Sequence, residues 1–92
     1  MARISHKNWN IYKTARGASH QDPTVDIKEL AYTTLFDVSN SWGCAFGQNL
    51  REAVYCHWWN VARQMLDVKP NSESKTRALT IIQDLENMAK GE

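Results

Sequence analysis

Cys44, Cys56, His57, His20 and His6 are the residues of this chain best suited to metal or nucleophilic chemistry. Structural zinc sites place their ligands in close pairs, as in C-x2-4-C, because one turn then supplies two corners of the tetrahedron. No such pair occurs here. Cys56 and His57 are adjacent, and adjacent side chains on a helix point about 100° apart. A cysteine nucleophile needs an imidazole within reach and a third group to orient it. Cys44, in a turn bracketed by Gly43 and Gly47, is the thiol placed to meet His57 or His20, but no family signature surrounds it. The same two glycines lack the Lys-Ser/Thr pair and the preceding strand of a phosphate loop. The expectation is a chain without catalytic residues, metal, cofactor or small-molecule substrate, and so not an enzyme.

A second constellation lies in residues 1–21, which carry Arg3, Lys7, Lys13 and Arg16 and no acid. The remaining residues are slightly acidic, and the whole chain has a net charge of +1. With Trp9 and Tyr12 interleaved among the bases, this segment has the composition of a basic arm. It would neutralise phosphates and stack on unpaired bases. A helix-turn-helix across residues 37–51 is the other nucleic-acid option. Its second helix would present Glu52, Asn60, Arg63, Gln64 and Asp67, a mixed face poorly suited to the major groove.

The elements that must position these residues are mainly helical. Ninety-two residues, 42% apolar and 23% charged, make one folded domain. Asp22 and Pro23 open a helix over about 23–42, Asp as cap and Pro at the first helical position. Ile27, Leu30, Ala31, Thr34, Leu35, Val38 and Trp42 fall on one arc of it. Gly43 stops it, and residues 44–48 connect. A helix over about 49–67 follows. Leu50, Val54, Tyr55, Trp58, Trp59, Val61, Ala62, Met65 and Leu66 fill about half its circumference. That exceeds the ~100° stripe of an ordinary surface helix, so the helix needs more than one neighbour, and Trp58 reads as core. Pro70 ends it, and Asn71 or Ser72 caps a helix over about 72–90. Three principal helices with short loops form a small bundle. The N-terminal segment adds a short helix or a strand, or remains a flexible arm beside a helical domain of residues 22–92.

No run of 18 apolar residues suggests a membrane span. Two cysteines make no disulfide framework, and reduced thiols suit a cytoplasmic protein. A second stripe, Val25, Tyr32 and Phe36, lies off the core arc of the first helix. With Trp59 it is the candidate partner-binding face, since interfaces are enriched in such side chains. Alternatively Trp9, Ile11 and Tyr12 fold back to cover it. The function that fits is a small binding protein acting through protein–protein contacts, as a regulator, inhibitor or small subunit, or by self-association. The alternative is a nucleic-acid-binding accessory protein using the N-terminal arm.

Overall fold

The computed structural model describes residues 7–17 and 26–91. These form five α-helices: α1 (Lys7–Gly17), α2 (Ile27–Ser39), α3 (Cys44–Tyr55), α4 (Trp59–Asp67) and α5 (Glu73–Gly91). A 3-10 turn, Asn40–Trp42, links α2 to α3, and no strand occurs among the described residues. The fold is thus mainly helical, as composition and periodicity indicate, but the three expected principal helices are four, with a fifth, α1, before them.

α2 begins later than its sequence suggests. Asp26 is extended, and its carboxylate accepts the Glu29 amide at 3.1 Å. It, rather than Asp22, is the cap of this helix; Asp22, Pro23 and Val25 lie outside the described residues. Ala31, Leu35 and Val38 are fully buried. Thr34 is buried with them because its hydroxyl donates to the Leu30 carbonyl at 2.7 Å. Past Ser39 the serine hydroxyls turn back on the chain, Ser39 to the Phe36 carbonyl and Ser41 to that of Val38. Such local bonds compete with the helical ladder and tighten its end.

α3 starts five residues earlier than expected, at Cys44. Gly43 has φ 107° and ψ 150°, a conformation essentially confined to glycine, so the turn is sharp enough for a helix to start at once. Gly47 is buried on the inner face of α3. A Cβ there would come within 2.9 Å of Asn40 Oδ1 and 3.1 Å of Ser39 Oγ, so its absence lets α3 lie against the end of α2.

The expected continuous helix over 49–67 is two helices. At the end of α3 the Trp58 amide donates to the Ala53 carbonyl at 2.8 Å and the His57 amide to that of Val54 at 3.1 Å. His57 has φ 61°. This is a Schellman closure, whose left-handed position is usually glycine. Histidine tolerates that region better than most residues, so the helix ends where no glycine or proline marks a stop. The break redirects the chain. Leu50, Ala53 and Val54 of α3 and Ala62 and Leu66 of α4 all reach one core, with Ala78, Ile81, Ile82 and Leu85 of α5. A straight helix would have turned Ala53 away from that arc.

α5 matches its sequence reading closely. Ser72 Oγ accepts the Lys75 amide at 3.2 Å, and Glu73 occupies the first turn. α2 packs against α1, α3 and α5. Every buried side-chain nitrogen and oxygen among the described residues has a partner.

The two left-handed positions predict opposite responses. Gly43→Ala is expected to lower stability by about 1–3 kcal/mol, the cost of a strained non-glycine backbone. His57→Gly keeps or raises the thermal midpoint, whereas His57→Val lowers it, because a β-branched residue fits that region worst. Thermal melts of the three variants check the signs.

Candidate functional site

Cys44 begins α3 and Cys56 follows its last residue, and both thiols are exposed. Twelve residues of helix at 1.5 Å each hold the two positions about 18 Å apart. They neither form a disulfide nor share a ligand, and His57 stands at the Cys56 end, far from Cys44. Among the described residues no group of three or more His, Cys, Asp or Glu is arranged to hold a metal ion. His6 and His20 lie outside those residues.

The aromatic half of the expected basic arm is not available to a nucleic acid. Residues 7–17 are helix α1, which packs on α2, and Trp9 and Tyr12 belong to the core. These two rings fold back, as the alternative reading of the sequence allowed. Tyr12 donates its hydroxyl to Asp84 Oδ2 at 2.6 Å. Arg16 makes a paired contact with the same carboxylate, Nε to Oδ2 at 2.6 Å and Nη2 to Oδ1 at 2.9 Å. Burial first, and the bond to Asp84 second, push the Tyr12 phenol well above its ordinary range, because both oppose its ionised form. The guanidinium of Arg77 lies 5.3 Å from the Trp9 ring centre, and the Asn8 amide donates to Asp37. Four polar or charged groups therefore tie α1 down around its two buried rings. Lys13 is exposed and Lys7 opens the helix; Arg3 lies outside the described residues.

The candidate partner face on α2 also changes. Tyr32 is buried, its ring stacked on Tyr55 at 4.2 Å and 16°. Phe36 is half-buried under the guanidinium of Arg51, 5.5 Å away. Arg51 also donates to the Tyr55 hydroxyl at 3.0 Å. Tyr32 offers no surface to a partner: α3, ending early, brings Tyr55 over it.

The exposed apolar surface lies instead on α4 and its caps. Trp58 is 54% exposed, Val61 46% and Val68 81%, with half-buried Met65 between them. Trp58, read as core from sequence, faces outward because the left-handed turn rotates α4 against α3. The spacing 58, 61, 65, 68 places the four on one narrow stripe of a helix. The stripe is flanked on its open side by His57, Asn60 and Gln64, all exposed and none acidic or a lysine or arginine. Beside it, a shallow cleft of about 260 Å³ is lined by His57, Trp58, Trp59, Asn60, Val61 and Glu86. Trp59 is half-buried in its wall, stacked on His57 at 5.0 Å and 21°.

The inner face of α4 is held by charge. Arg63 donates to Glu86 and, at 3.3 Å, to Gln83 Oε1 of α5. Lys90 donates to the other Glu86 oxygen at 2.8 Å. The Lys90 bond first, and that of Arg63 second, hold the Glu86 carboxyl below the usual carboxylate range. Arg63 thus points to α5, away from the stripe. Comparison with known proteins adds no guide to the site: no family model, curated protein or solved structure matches the chain.

The Tyr12 phenol supplies a pH test. A group whose folded pKa is raised contributes stability that is complete below its unfolded value, about 10 for tyrosine, and is lost as pH rises beyond it. The melting temperature is expected to fall between about pH 9 and 11 more steeply in the wild type than in Tyr12→Phe, by linkage. At neutral pH that variant loses about 2 kcal/mol, the worth of a hydrogen bond to a charged group. Parallel pH profiles for the two proteins would remove the assigned role.

Proposed function

We propose that the chain works through protein–protein contacts, as a small helical binding protein of the regulator, inhibitor or small-subunit kind, and that α4 carries the contact face. The observation that supports this reading is the row of Trp58, Val61, Met65 and Val68 along its outer side, exposed except for half-buried Met65. Isolated apolar side chains on a surface are ordinary, but a contiguous row bounded by polar groups is a docking feature. A helix with apolar residues three and four apart is read by a partner that lays an apolar surface along it. Burying a fully exposed valine or methionine side chain contributes about 1.5–3 kcal/mol, and tryptophan at the centre of a contact often contributes most. Trp59, in the wall of the neighbouring cleft, extends this face, whereas Tyr32 does not take part. The contact proposed here needs no bound cofactor and no covalent step.

The face is separable from the fold. Trp58→Ser combined with Val61→Ser removes two outward side chains, and each surface change should cost less than about 1 kcal/mol. The expected result is a melting temperature within a few degrees of wild type and loss of the proteins recovered by a tagged wild-type bait from cells that make the chain. An unchanged set of captured proteins would show that α4 is not the contact face. A collapse of stability would place Trp58 in the core.

A further inference from the structure

The outer stripe of α4 has a symmetry that selects its occupant. Trp58, Val61, Met65 and Val68 are spaced three, four and three residues apart, the interval of a seam between two packed helices. The pattern is symmetric about residue 63. Two copies of α4 laid antiparallel across a two-fold axis would therefore set Trp58 against the other copy's Val68, and Val61 against its Met65. Each pairing joins a larger side chain to a smaller one, the alternation by which facing layers fill space without voids. A two-fold contact requires this of a surface, that it be complementary to itself. The residue on the axis does not obstruct it, since Arg63 is turned towards Glu86 and Gln83 of α5. Nor do like charges meet along the seam: its open flank is His57, Asn60 and Gln64. Nothing in the described residues covers the stripe, as Trp58 and Val68 are 54% and 81% exposed.

We infer that the stripe on α4 is the interface of an antiparallel homodimer, the occupant being a second copy of this chain. This rests on the reading of α4 as a contact face and specifies who makes the contact. Four residues from each copy make a short seam, in the weak class of specific interfaces below about 1,200 Å². The pair should accordingly form and dissociate with concentration rather than exist as an obligate dimer.

Sedimentation across a concentration series tests this directly. The wild type is expected to move from one copy at about 5 µM towards two copies at several hundred µM, as a weak interface requires. Val61→Glu and Met65→Lys should each remain single at every concentration while keeping a helical spectrum and a cooperative melt. Mixing the two variants should restore a pair, because the antiparallel register sets the introduced carboxylate against the introduced ammonium. A wild type that stays single overturns the dimer but leaves the α4 contact face to the bait experiment above. Dimers that persist in both single variants place the contact elsewhere and overturn it too. Dimerisation lost in both variants and not restored by mixing overturns the antiparallel register.

Discussion

A helix packed on a single neighbour can hide only about a third of its circumference, and residues 49–67 carry apolar side chains around half of theirs. The molecule resolves that conflict by breaking the segment. One left-handed residue, His57, ends α3 and restarts the chain as α4 in a new direction. The inner sides of both pieces then face the same core, and the surplus is left on the outside of α4. The main features of this half of the molecule follow from that turn. Tyr55 stacks over Tyr32 because α3 ends where it does, and Trp58 faces outward because α4 begins where it does. Arg63 meets Glu86 for the same reason.

The other half depends on a different economy. α1 is short, and its mean character is polar, so little apolar surface holds it. Two rings do the burying, and the charges around them are all spoken for. Asp84 receives both Tyr12 and Arg16, so one carboxylate of α5 fixes the angle and register of the first helix. A bidentate guanidinium contact is more directional than a simple ion pair, which suits a helix with few other anchors. The basic character of the segment, read from sequence as an invitation to phosphate, is in part consumed internally.

Legibility of the fold followed the strength of local signals. α5 could be placed to within a residue because Ser72, Glu73 and a broad apolar stripe agree. The core positions of α2 could be read from period alone: Ala31, Thr34, Leu35 and Val38 are all buried. The break at residues 56–58 could not, because its left-handed residue is a histidine, and neither glycine nor proline punctuates it. The start of α3 at Gly43 was masked by the second glycine, which makes residues 44–48 look like a loop while serving a close approach to α2. The candidate site inherited these errors. Tyr32 and Phe36 are off the core arc of α2, but periodicity on one helix says nothing of what a neighbour lays over it. The width of the apolar arc on 49–67 was the visible sign of a second surface; which residues would form it depended on the break.

The brevity of α4 carries a consequence of its own. Nine residues are too few for a helix to persist alone in water, since nucleation costs more than so few bonds return. α4 therefore exists only while Ala62, Leu66 and Arg63 hold it to the rest of the protein. Its outer side chains are aligned by the cooperative unfolding unit as a whole, not by the strand of backbone that bears them. Whatever grips that row grips the native state itself, and the surface disappears at the same instant as the fold that displays it.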